Sequence, residues 1–72
     1  MKYLIVVEKT NTGFSAYSPD IGGCVATGKT KQEVHENMQE ALEFHLEGLR
    51  LAKEEIPRPH THSDYVELTA AA

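Results

Sequence analysis

Three sets of residues in this 72-residue chain could do chemistry or carry binding: the histidines, the single cysteine, and a series of helix-spaced glutamates. His60-Thr61-His62 places two imidazoles on one side of any extended segment, which is half of a metal site. No third carboxylate or thiol stands at a ligand spacing, so the segment reads as a solvated polar loop, and neither metal nor cofactor is expected. His45 falls inside an apolar helical stripe and reads as a packed imidazole with one polar partner; its rival role is at a subunit interface. Cys24 follows two glycines and has no neighbouring histidine to activate it, so it reads as a buried, inert thiol. Gly22-Gly23 precede a strand rather than a helix and lack phosphate-loop spacing.

The glutamates carry more information. Glu36, Glu40, Glu43 and Glu47 recur at i, i+4, i+7 and i+11, and Glu33 and Glu54 extend the same half of the helix. Like charges one turn apart repel, and the basic residues that could offset them, Lys31, Arg50 and Lys53, stand only near the ends. Such a stripe is either a solvated face or a docking surface for a cationic partner. Phe44 and Leu51, with Gly48 between them, flank this acidic side, as a self-association surface or as the margin of a wide core stripe. No nucleophile elbow or triad appears, Glu8 lies at the end of its strand and Asp20 in a turn, so the chain is expected to be no enzyme.

These side chains need elements to hold them. Lys2 to Glu8 is β-branched or aromatic in most places and apolar on both faces, as a central strand is. Asn11-Thr12-Gly13 turns it into a second strand over Gly13 to Ser18, which Pro19 ends. Pro19, Asp20 and Gly23 form a turn leading to Cys24, which opens a third strand over Cys24 to Thr27. Thr30 and Glu33 fit a capping box in which the Thr hydroxyl accepts from the third helical amide and the Glu carboxylate reaches back to the cap. The helix begins near Lys31, buries Val34, Met38, Ala41, Leu42, His45, Leu49 and Ala52, and ends near Lys53 to Glu55. After Pro57 and Pro59, Tyr65 to Thr69 reads as a last strand.

The order β-β-β-α-β is α+β. A right-handed crossover would return the last strand beside the first, giving a sheet order of 3-2-1-4 with one helix on one face. The other face stays uncovered, leaving Tyr3 or Leu4 open for docking. Residues 1–69 form a single domain and 70–72 a frayed tail.

Composition bounds the partners. With 40% hydrophobic and 25% charged residues the chain is globular rather than disordered. One cysteine permits no internal disulfide, which favours a reducing cytoplasm, and no apolar run approaches the length of a membrane span. A domain this small without staples commonly gains stability from a second copy or a partner. A net charge of −4 opposes phosphate binding and favours basic partners.

The segment Tyr17-Ser18-Pro19-Asp20-Ile21-Gly22-Gly23-Cys24-Val25-Ala26-Thr27-Gly28, then Thr30, Glu33 and Val34, then Asn37 to Leu46 and Ile56-Pro57-Arg58-Pro59, resembles the HicB-like antitoxins across almost the whole chain. That family's turn reads P-D-L-P-G-C-x-x-x-G, so Ile21-Gly22 depart from its usual Leu-Pro. The resemblance implies a partial RNase H-like fold and the antitoxin half of a type II toxin-antitoxin pair. Its partner would be a small basic HicA-type toxin that cleaves mRNA, neutralised by binding alone, and the antitoxin would be a homodimer or homotetramer. Many relatives add a C-terminal DNA-binding domain; the sequence here stops after the expected last strand, so direct DNA binding is not expected. Two other functions stay open: a stand-alone oligomeric binding module without a toxin, and a remnant metal-dependent nuclease using Glu8 or Asp64.

Overall fold

The turn Thr10-Asn11-Thr12-Gly13 is closed by its own first residue. The Thr10 amide donates to the Gly13 carbonyl at 2.8 Å, and the Thr10 hydroxyl accepts from the Gly13 amide at 3.0 Å. In the computed structural model, which describes residues 1–70, this turn joins β1, Val6–Lys9, to β2, Phe14–Ser18, in the antiparallel register Val6↔Tyr17 to Lys9↔Phe14. Lys9 stacks its ammonium 5.3 Å from the centroid of the Phe14 ring, covering the hairpin end.

The third strand, β3, spans Ile21–Gly28 and starts earlier than the Cys24 expected from sequence. Ser18 pairs with Ile21 across the two-residue Pro19-Asp20 connection, and the next pair is Tyr17 with Val25. Gly22, Gly23 and Cys24 are therefore the extra residues of a bulge, and Gly23 takes a left-handed φ of 76°, which glycine adopts without steric cost. The turn composition was real but marks an irregularity inside a strand.

Among the described residues the sheet has three strands in the order β1-β2-β3, so β2 is central and β1 lies at an edge. This corrects the expectation of a central first strand. The apolar residues on its two faces serve different ends: Tyr3 and Ile5 pack against the core below the helix, while Val6 faces the uncovered side. β1 is also shorter than its apolar run, because β2 turns away at Pro19; beyond Val6 only the Ser18 hydroxyl reaches back, donating to the Leu4 carbonyl at 2.9 Å.

The helix α1, Lys31–Leu51, covers one face of β2 and β3. Its seat depends on Gly28, where a Cβ would lie 2.5 Å from the Val34 nitrogen and 2.8 Å from its Cα. That close approach buries Val34 and Met38 with Ala16, Ile21 and Cys24 in a small core. The Asn37 amide donates to the Thr27 carbonyl at 2.8 Å and fixes the helix over β3. The stripe thins toward the C-terminus: Ala41, Leu42 and Leu46 pack on the core, His45 and Leu49 are half-buried, and Ala52 is exposed. The helix stops at Leu51, short of the expected end, where Lys53 adopts φ 58°. The Glu54 amide then donates to Leu49 and the Lys53 amide to Arg50, a Schellman ending built on a lysine.

No fourth strand forms over Tyr65–Thr69 within the described residues. The exit runs from α1 past Tyr3, whose hydroxyl donates to the Pro57 carbonyl at 2.5 Å, and on to Asp20 at the β2–β3 turn. It leads away from the open edge of β1. Of the tail expected over 70–72, residues 71–72 lie outside the described residues.

Candidate interaction surfaces

The helix start is rigid and holds the acidic residues in place. Thr30 accepts from the Glu33 amide at 3.0 Å, as expected, but the Glu33 carboxylate reaches one residue further back than expected, to the Lys29 amide at 2.6 Å. A further donor at the helix N-terminus is thereby satisfied, and the Glu33 charge sits against the positive end of the helix dipole.

From this anchor Glu36, Glu40, Glu43 and Glu47 all emerge exposed. Gln32 donates to Glu36 at 3.3 Å and Arg50 pairs with Glu47 at the far end, both in solvent. Among the described residues neither Glu40 nor Glu43 has a hydrogen-bond or ion-pair partner. The middle of the stripe is thus a pair of uncompensated carboxylates one turn apart. On the β3 side of the same helix Phe44 is 83% and Leu51 75% exposed, and a Cβ at Gly48 would meet open space. The sheet of the same chain covers neither aromatic nor leucine.

A second apolar surface lies on the uncovered sheet face and was only half visible in the sequence. The register aligns Val6, Tyr17 and Val25 in one row across three strands, with Leu4 two residues before Val6. Of the two residues expected to be open, Leu4 therefore belongs to this face, and Tyr3 is turned under the helix. Tyr17 and Val25 are exposed. The row follows from pairings that the β3 bulge shifts, so alternation along one strand could not reveal it.

The turn residue Asp20 has a larger role than ending a strand. Its buried carboxylate accepts from the Thr61 hydroxyl at 2.5 Å, the His60 amide at 3.0 Å and the Thr61 amide at 3.1 Å, with the His60 Nε2 at 3.1 Å. The Thr61 hydroxyl does most to hold its pKa below the ordinary carboxylate value; desolvation opposes this, and the two amides and the His60 imidazole reinforce it. One carboxylate thus clamps the exit segment to the β2–β3 turn. Its partners lie forty positions along the chain, so no local spacing announces it. Pro19 is exposed beside Asp20, and Gly23 sits in the bulge.

His60 is engaged by this clamp, whereas His62 is exposed. Among the described residues no three His, Cys, Asp or Glu side chains gather as a metal cage. The Cys24 thiol is buried, and burial pushes its pKa up, away from thiolate chemistry. Glu8 is exposed on β1, and the Asp64 carboxylate accepts from the Tyr65 amide at 2.7 Å. No described helix is long and apolar enough to cross a membrane.

Residues 3–70 match the family model described as the HicB-like antitoxin of bacterial toxin-antitoxin systems. An uncharacterized 14.9 kDa protein from the rep-hol intergenic region of Haemophilus phage HP1 is 38% identical over 66 residues, 92% of this chain and 50% of that protein. A UPF0150 protein of Thermoplasma acidophilum is 37% identical over 59 residues, 81% of this chain and 86% of its own length. Among solved structures, a chain of the HicA3 and HicB3 toxin-antitoxin complex superimposes with a TM-score of 0.71 at 37% identity, over 83% of this chain and 70% of that one. The chain therefore spans half the length of the phage relative and most of the archaeal one.

Proposed function

The chain belongs to the HicB-like antitoxin family, and from that premise we infer that it neutralises a small basic HicA-type toxin by binding it, with no catalysis of its own. The observation that carries this reading is the likeness to a chain of the HicA3 and HicB3 complex over 83% of the present sequence. The surface chemistry supports it. Glu36, Glu40, Glu43 and Glu47 form an exposed acidic stripe whose centre has no compensating cation among the described residues, and such a stripe steers and orients a cationic partner. A homodimer or homotetramer needs contacts between copies, and the exposed set Phe44, Gly48 and Leu51 offers one surface for them, such as the second contact a homotetramer requires. The antitoxin acts in the cytoplasm, where its one cysteine stays reduced, and its acidic surface gives it no grip of its own on DNA. The partial RNase H-like fold that the family resemblance implies would place a fourth strand beside β1.

Co-expression with the protein encoded beside it tests the reading. A small basic neighbour that purifies with this chain at low salt and dissociates at high salt is the expected result. A neighbour that is not basic, or one that forms no complex at low salt, overturns it.

A further inference from the structure

We propose that the Tyr65–Thr69 segment of one protomer adds as a strand to the open edge of β1 in a second copy of this chain, and that the exchange is reciprocal. This association needs no toxin, so its failure leaves the antitoxin reading standing.

The acceptor is an edge with a groove beside it. Among the described residues β1 is bonded to β2 on one side only, which leaves backbone donors and acceptors unpaired along its other side, a ready template for a further strand. In line with this edge, between the residues that precede β1 and the helix α1, lies an open groove of about 470 Å³ whose apolar lining includes Tyr3, Ile5, Leu42 and Leu46.

The donor is a strand without a sheet. Tyr65-Val66-Glu67-Leu68-Thr69 is rich in strand formers, yet Tyr65 is 93%, Val66 85% and Leu68 77% exposed. Alternation puts Val66 and Leu68 on one side, matched to the apolar groove. Tyr65 and Glu67 fall on the other side, where Tyr65 would extend the row of Val6, Tyr17 and Val25.

The route of the chain decides between its own edge and another's. Asp20 holds Thr61 at the turn between β2 and β3. From there to a position beyond β1 is about 12 Å of sheet at the usual strand spacing. The link from Thr61 to Tyr65 extends about 14 Å at most, which leaves only about 2 Å, too little to pass around residues 1–5, where they continue beyond the end of β1. The edge of a second copy imposes no such detour.

The surface of the protomer leaves room for such an interface. Its accessible area is 6126 Å². A folded monomer of this mass exposes about 4,450 Å², so roughly 1,700 Å² is in excess, about twice what each partner contributes to a standard interface. The radius of gyration of 14.7 Å likewise exceeds the value of about 11 Å for a compact chain of this length. A reciprocal exchange is closed under two-fold symmetry, so it ends at a dimer rather than a filament.

The test uses light scattering after gel filtration, together with amide exchange, on the full chain and on the double variant Val66→Glu/Leu68→Glu. Both substituted side chains are exposed in the protomer, so helix content by circular dichroism should be retained. The expected result is a wild-type mass of twice the chain at micromolar concentration, with the β1 amides not bonded to β2 protected from exchange. The double variant should return to the mass of one chain and lose that protection by about tenfold or more. A wild-type monomer overturns the proposal, whether those amides are unprotected or are protected independently of concentration by the chain's own segment. A dimer that the double variant leaves intact also overturns it and points to Phe44, Gly48 and Leu51 instead.

Discussion

The two ends of α1 live in different environments. At its start Val34 and Met38 are fully buried against β2 and β3, Gly28 lets the backbones meet, and Thr30 and Glu33 satisfy the free amides. Past Met38 the burial thins: Ala41, Leu42 and Leu46 are only partly buried against the core, while Phe44, Leu51 and the glutamates stand in solvent. Along a single helix, the first half carries the fully buried contacts and the second carries the large apolar side chains left in solvent. The difference has a geometric origin, since 21 helical residues span about 31 Å, while the five residues of β2 span about 17 Å.

The contrast is sharpest in stability. Met38→Ala should cost about 3 kcal/mol, the usual loss for emptying a buried methionine site, whereas Phe44→Ala should stay within about 0.5 kcal/mol. Urea unfolding followed by circular dichroism reads both. Equal losses at the two positions would erase the division of the helix.

In binding the order should reverse. Glu40→Lys with Glu43→Lys should weaken the complex with a basic HicA-type toxin about tenfold, about 1.4 kcal/mol, and flatten its salt dependence, with the melting temperature little changed. Calorimetric titration at two salt concentrations reads this; unchanged affinity and unchanged salt slope would remove the acidic stripe from the interface. A smaller effect lies at the junction. Lys53 occupies a left-handed conformation that costs a residue with a Cβ, so Lys53→Gly should stabilise the fold by about 0.5 to 1 kcal/mol in the same urea experiment.

The smallest effect is local and depends on pH. The Asp20 pKa is lowered in the folded state, chiefly by the Thr61 hydroxyl, so the unfolded chain takes up this proton first as the pH falls. Its contribution is therefore complete above the ordinary aspartate range and is lost as the pH drops through the lowered folded value. The amide resonances of His60 and Thr61 should shift together in that acid window, ahead of global unfolding, and Asp20→Ala should show the released spectrum already at neutral pH. Resonances unmoved by either change would mean that the clamp does not hold the exit segment.

Much of this architecture was legible in residue order wherever its cause is local. The first turn, the Thr30 cap, the helical stripe from Val34 to Leu46 and the exposure of the glutamates each depend on neighbours within a few positions, and the structure has each of them; Ala52, expected in the stripe, is exposed, and the glycines of the second turn lie inside β3. Apart from the local shift at Glu33, the misreadings share one cause, in that each depends on contacts between distant segments. The early start of β3 comes from a bulge that only its pairing with β2 defines. The edge position of β1 and the unformed last strand follow from the route of residues 57–61, held by Tyr3 and Asp20. The Glu33 carboxylate missed its expected amide by one residue because Lys29 presents its own at 2.6 Å. For the surfaces, the glutamates and the Phe44–Leu51 pair were visible from helical spacing, whereas the row of Val6, Tyr17 and Val25 required the register.

The most direct test of the antitoxin reading is inhibition itself, measured as mRNA cleavage by the purified HicA-type toxin encoded beside this chain. Adding the chain in a one-to-one ratio should abolish cleavage, and raising the salt should restore it. Cleavage that continues unchanged with the chain in excess at low salt would contradict the account.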